Sequence, residues 1–282
     1  MKMRTNVSGH GRSHSPLKSE STGIITAWGF TLIDLIVTIA VIAILLALLL
    51  PALAYASFRS KVTVCSSNFR QLCVATSLYA GDDSRGRLPA YRLPVESSAL
   101  AGYRTLEPWF LPMPMIMGMA EHGMVPKLWY CPTRSGWRDI NGAFQSLNNG
   151  RSIVTSQDLY KSFAIDQRAV IFPPDLCWWV PRPLGESGMV YPNPTLCRTR
   201  VPTQWPKSTA DASANILPIA SDWNVAGWDN SGMTLKEIFG GHRFDGRIRS
   251  CSVAYLDGRV ETKPSKQLNW QIIGPYDHAV VY

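Results

Sequence analysis

The sequence predicts an α+β protein. One long N-terminal helix, with a membrane half and an amphipathic half, packs on a C-terminal antiparallel sheet with long loops. Three observations carry this reading. Residues 35–58 form an uncharged, mostly apolar run, and about 20 such residues cross the hydrocarbon core as a helix. Beyond that run Phe58, Val62, Cys65, Phe69, Leu72, Thr76 and Tyr79 recur at spacings of four and three, the stripe of a 3.6-residue period. Near the C-terminus, residues 249–256 and 259–262 are strand-forming runs joined by Asp257-Gly258, a strong signal for a hairpin with a two-residue turn, in which both central residues need positive φ.

These signals divide the chain into three parts. Residues 1–29 form a basic leader carrying Lys2, Arg4, Arg12 and Lys18 against Glu20; residues 1–22 hold little that could be buried and are expected to lack order. Residues 30–80 are the transmembrane and stalk helix, on the order of 75 Å long at 1.5 Å per residue. Arg59, Lys61, Ser66, Arg70 and Ser77 fall off its apolar stripe, and Gly81-Asp82-Asp83 supplies the stop. Pro51 removes a backbone donor and crowds the carbonyl four residues earlier, which predicts a kink or local melting near Ala47.

Residues 81–282 are the globular α+β domain, within the usual domain size. Between 84 and 240 the chain is dense in Pro, Gly and Trp. Leu111-Pro112-Met113-Pro114 and residues 201–206 are excluded from helix interiors and central strands. Residues 172–206 read as a long ordered loop, 216–220 as a strand and 234–239 as a short helix. Nine tryptophans in this domain read chiefly as core filling for a loop-rich fold.

The formal net charge is +8, of which the leader supplies +3, leaving +5 on the rest. The basic residues are scattered, which disfavours a nucleic-acid partner. Six cysteines suit an oxidising compartment. Cys177 and Cys197 bracket a Pro-rich loop and are the preferred disulfide, whereas Cys73 and Cys251 are equally well explained as small buried hydrophobes. No Cys-x-x-Cys or Cys-x-x-His pair occurs, so a zinc centre built on cysteine is not expected.

Asp34 is the residue that stands out chemically. A carboxylate at the edge of a lipid-spanning run is costly without a partner and reads as functional. His242, Asp245, Asp222 and Asp257 form the only other polar set. His242, Asp222 and Asp257 are the candidate ligands, but Asp245 and Asp257 each precede Gly and are accounted for by turns, so no metal or cofactor is expected. There is no Gly-x-Ser-x-Gly elbow, no His-Glu-x-x-His and no phosphate-binding glycine loop, so an enzyme is not expected either.

Gly29-Phe30-Thr31-Leu32-Ile33-Asp34-Leu35 resembles the processing site of type IV prepilins and type II secretion pseudopilins. Further blocks are similar to large pseudopilin-like families of planctomycete- and verrucomicrobia-type bacteria: residues 65–72, 79–83 and 87–89, Trp129-Tyr130-Cys131-Pro132, and His242 with Leu256-Asp257-Gly258. The resemblance is dense over residues 29–89 and sparser beyond. It departs at Asp34, where the family usually has Glu, and at the apolar residues 23–28.

The resemblance implies that prepilin peptidase cuts after Gly29 and methylates Phe30. Asp34 would pair with the Phe30 amine of a neighbouring subunit, and Pro51 would loosen the helix on packing. The product would be a single-pass bacterial inner-membrane subunit, N-terminus cytoplasmic, joining other pilin or pseudopilin subunits and the secretion or pilus machinery. Some major pseudopilins hold calcium in a C-terminal loop, which makes calcium the ion to consider. The alternatives are an uncleaved signal anchor, a minor pilin-like protein binding a glycan or DNA (through Arg182, Arg198, Arg200, Arg243, Arg247 and Arg249), and a membrane-anchored periplasmic domain of another activity.

Overall fold

The computed structural model describes residues 31–91, 111–164, 171–172, 175–184, 189–191, 205–228, 235–268, 270–273 and 278–281. The chain divides into two compact units, Met1–Leu50 and Pro51–Tyr282. Helix α1 covers Leu32–Asp82 and includes Pro51. Every residue in that span is helical, so of the kink or local melting expected near Ala47 the melting does not occur. In the first unit, residues 32–50 are exposed throughout, and the helix is long and apolar enough to cross a membrane.

In the second unit, α1 buries Phe58, Val62, Cys65, Asn68, Phe69, Leu72, Cys73, Ala75, Thr76 and Ala80. This is the expected stripe, widened by its i+3 and i+4 neighbours, while Arg59, Lys61, Arg70 and Ser77 are exposed.

After α1 come β1 (Leu111–Pro112), α2 (Met113–Glu121), α3 (Gly136–Leu147) and α4 (Ser156–Ala164). Short strands follow: β2 (Ile171–Phe172), β3 (Leu176–Trp178), β4 (Arg182–Leu184), β5 (Met189–Tyr191), β6 (Ala220–Asp222), β7 (Asn224–Trp228) and β8 (Leu235–Gly240). The last are β9 (His242–Phe244), β10 (Arg247–Ala254), β11 (Val260–Pro264), β12 (Trp270–Ile273) and β13 (His278–Val281). The central antiparallel sheet runs β11-β10-β6-β3, with β9 also pairing to β10. A second sheet runs β12-β13-β7-β8.

The central sheet separates two apolar clusters by strand alternation. Leu176, Trp178 and Ala254 join the cluster containing Phe69, Leu72, Met115, Ile116 and Trp129. Cys177, Trp179, Cys251, Val253 and Tyr255 face the other way, with Trp205; Trp179 and Trp205 stack with ring centroids 5.4 Å apart. Trp129, Trp178, Trp179 and Trp205 are all buried, in agreement with their reading as core.

Three local expectations are corrected. The short helix expected over 234–239 is replaced by β8, Leu235–Gly240, which pairs antiparallel with the preceding strand β7, a cross-strand ladder overriding local preference. The strand expected at 216–220 is β6, Ala220–Asp222, because Ser213 takes the N–H groups of Ile216 and Leu217 in a turn. The stretch read as a loop over 172–206 contains β3, a member of the central sheet. The exclusion of Leu111-Pro112-Met113-Pro114 from helix interiors and central strands agrees with the structure: Leu111–Pro112 pairs only in a two-stranded sheet, and α2 begins at Met113 with Pro114 in its first turn, where the missing N–H costs no intrahelical bond.

The hairpin chemistry is also redistributed. Between β10 and β11 only Gly258 has positive φ, at 84°, and its N–H donates to the carbonyl of Tyr255 at 3.1 Å. This is a type I turn followed by a left-handed glycine rather than a two-residue turn. Both central residues are positive instead at Asp245-Gly246, with φ 53° and 71°, where Phe244 pairs with Arg247.

Candidate metal centre

Four side chains from separate segments meet beneath the sheet: Cys65, Cys131, Asp222 and His242. Cys65 belongs to the buried stripe of α1. Cys131 follows the 3-10 turn Pro126–Trp129, and its backbone N–H donates to Asp175 Oδ2 at 3.2 Å. Asp222 closes β6, and His242 opens β9. All four are buried, at 3% exposure or less, and their ligand atoms all lie within 4.8 Å of one another.

Glycine delivers His242 to this place. Gly240 has φ 104°, and a Cβ there would lie 1.9 Å from the Trp223 carbonyl oxygen. Gly241, at φ 54°, donates its N–H to that same oxygen at 3.0 Å. The chain therefore folds tightly over Trp223, the residue next to Asp222, and sets the imidazole opposite the carboxylate.

Polar neighbours orient the four groups. The Cys65 thiol donates to Asp222 Oδ1 at 3.4 Å. The Ser252 N–H donates to Asp222 Oδ2 at 2.5 Å. His242 Nδ1 lies 3.0 Å from Ser250 Oγ, while its Nε2 stands 3.0 Å from Asp222 Oδ2 without an aligned hydrogen bond. Arg134 approaches Asp175 Oδ1 at 3.3 Å and lies over the Trp223 ring, putting a cation one layer out from the cluster.

The thiols are driven apart in acidity. Cys65 is pushed well up, first by the hydrogen bond to Cys131 and then by burial. For Cys131 burial acts upward, but the neighbouring Cys65 and His242 side chains prevail and hold it below its ordinary value. Burial alone would lower the His242 imidazole, yet the Asp222 carboxylate raises it.

Of the three candidate ligands read from sequence, the structure unites His242 and Asp222 and leaves out Asp257. That carboxylate is exposed and accepts the Arg259 N–H at 2.9 Å in the β10–β11 turn. Asp245 is likewise exposed, in the β9–β10 turn. Cys65 and Cys131 form no short-spaced pair, yet folding brings them together. Only the place of Cys65 on the helical stripe signalled its burial, and no spacing pointed to Cys131. Two sulfur donors also argue against calcium, which takes oxygen ligands.

Other expected sites are distributed as follows. Gly29, Phe30 and Cys197 lie outside the described residues. Cys177 is buried on β3, and Cys73 and Cys251 are buried in the core; burial, ahead of the Asp257 charge, drives the Cys73 thiol up to about 12. Of the arginines considered for DNA, Arg243, Arg247 and Arg249 are exposed on the β9–β10 hairpin, whereas Arg198 and Arg200 lie outside the described residues.

Asp34 takes part in a reciprocal cap. The Thr31 N–H and Oγ1–H donate to Asp34 Oδ2 at 2.9 and 2.8 Å, and the Asp34 N–H donates to Thr31 Oγ1 at 3.2 Å. This is a capping box with Asp in place of Glu. The same Thr-x-x-Asp arrangement starts α4, where Thr155 and Asp158 exchange equivalent bonds.

Compared with protein-family models, curated proteins and solved structures, the chain matches none of them.

Proposed function

We propose that this chain is a prepilin- or pseudopilin-like structural subunit. Prepilin peptidase removes residues 1–29 and methylates Phe30, and the mature chain assembles through α1 into a type II secretion pseudopilus or a type IV pilus-like filament. One observation supports this above others: a single helix carries an exposed, lipid-length apolar stretch with Asp34 in its first turn, and then a buried stripe within the α+β unit. In lipid an unpaired carboxylate opposes insertion, and the free amine of a neighbouring Phe30 is a suitable counter-charge in a low dielectric. The subunit performs no bond chemistry. Its partners are other pilin-type subunits, the inner membrane and the assembly machinery, with the α+β unit on the periplasmic or filament surface.

The capping box gives Asp34 a purely local role as well, and the test must separate the two. The mass of the N-terminal peptide recovered from membranes is expected to begin at methylated Phe30. Asp34→Ala is expected to abolish entry into filaments, whereas Thr31→Ala, which removes the cap and keeps the carboxylate, leaves entry intact. Full-length protein beginning at Met1, or undiminished assembly of Asp34→Ala, would overturn the proposal.

A further inference from the structure

We infer that Cys65, Cys131, Asp222 and His242 bind one structural zinc ion that fastens α1 to the central sheet. The inference is independent of filament assembly, because the ligand set is the same whether or not the chain enters a fibre.

The donor types come first. Two sulfurs, one imidazole nitrogen and one carboxylate oxygen form a mixed soft and borderline set that suits Zn2+ and poorly suits calcium or magnesium. Distances come next. Bonds of about 2.0–2.3 Å in a tetrahedron place ligand atoms roughly 3.4–3.8 Å apart. The Cys65 sulfur lies 3.4 Å from Asp222 Oδ1, His242 Nε2 lies 3.0 Å from Asp222 Oδ2, and no separation in the set exceeds 4.8 Å. A small outward shift of the imidazole would admit the ion.

An independent observation points the same way. His242 is fully buried, and its Nε2 points into this cluster, 3.0 Å from Asp222 Oδ2 but without an aligned hydrogen bond. Meanwhile Nδ1 is held by Ser250 Oγ, the outer-sphere contact that turns a histidine's other nitrogen toward a metal. The Ser252 N–H on Asp222 and Asp175 beneath the Cys131 N–H complete that outer shell.

Binding needs both thiols and the imidazole deprotonated, and whatever protons Cys65, Cys131 and His242 still carry pass to solvent. Two thiolates, a carboxylate and a neutral imidazole around Zn2+ carry a net charge of about −1, with the Arg134 guanidinium nearby. All four ligands are protein groups and all are buried, leaving no position for substrate, which marks the site as structural rather than catalytic. The mechanical sense is plain: strands of three to eight residues offer few ladder bonds, and an ion joining four segments cross-links them.

The test uses the full chain purified in detergent, its metal removed by chelation under reducing conditions. Zn2+ is expected to rebind at about one ion per chain and to raise the unfolding temperature, while calcium does neither. Co2+ is expected to give the intense visible bands of a tetrahedral site and a sulfur-to-cobalt charge-transfer band in the near ultraviolet. Cys65→Ser and His242→Gln should lose most of the bound metal; Cys73→Ser and Cys251→Ser, which remove equally buried thiols outside the cluster, should keep it. Absence of the cobalt spectrum in the unsubstituted chain would overturn the inference. So would recovery of the native protein with a Cys65–Cys131 disulfide, which mass spectrometry of the alkylated chain detects.

Discussion

Asn68 on α1 donates from Nδ2 to the backbone carbonyl of Tyr130 at 3.2 Å, with both residues buried. Asn68 lies one helical turn beyond Cys65, and Tyr130 immediately precedes Cys131. A side chain-to-backbone bond thus joins the two segments beside the point where their thiols meet, and does so without any ion. Asn68→Ala leaves a buried carbonyl short of a donor, a loss of about 1–3 kcal/mol. It is expected to lower the unfolding temperature of both the metal-loaded and the metal-free chain, as read by circular dichroism.

The core stripe of α1 can be probed with less chemistry. Leu72 is 1% exposed and sits in the larger apolar cluster. Truncation to Ala removes its transfer energy and leaves a cavity, for a loss of about 2–5 kcal/mol. Leu78, on the same helix and exposed, should change stability far less on the same substitution. Denaturant unfolding monitored by tryptophan fluorescence distinguishes the two.

Gly240 permits no side chain. Its φ of 104° and the 1.9 Å approach of a built Cβ to the Trp223 carbonyl mean that Ala must move the backbone. Gly240→Ala is expected to destabilise the fold by about 2 kcal/mol or more. Because Gly241 and His242 follow directly, the variant should also weaken Zn2+ retention, measurable by metal analysis after dialysis.

The α4 cap makes a pH prediction. Burial raises the Asp158 carboxyl, but the bonds from Thr155 and Val154 and the Arg151 charge outweigh it and hold it below its ordinary value. A depressed carboxylate adds stability above its unfolded pKa of about 3.9. That stability is lost as pH falls through the lower folded value. Amide exchange in α4 should accelerate below about pH 4. Asp158→Asn should lose about 1 kcal/mol of helix stability at neutral pH and flatten this acid response.

The parts legible in the sequence were those governed by neighbours along the chain. The stripe from Phe58 to Thr76 needed only the helical period, and the Asp245-Gly246 turn needed only the preference of those residues for positive φ. Where neighbours in space decided, local reading failed: β8 exists because β7 supplies its ladder, and β3 lies in the sheet although prolines surround it. The candidate site divides the same way. His242 and Asp222 were visible as an isolated polar set, but Cys65 looked like one more apolar stripe position and Cys131 had no partner within reach.

The amino-acid order by itself determined a lipid-length helix and its amphipathic continuation, since each depends on contacts within a turn or two of helix. Tertiary structure alone decided that Cys65, Cys131, Asp222 and His242 share one buried space. Ligand atoms converge by the crossing of a helix, a loop and two strands, and the separation of those segments along the chain leaves no periodic trace to read.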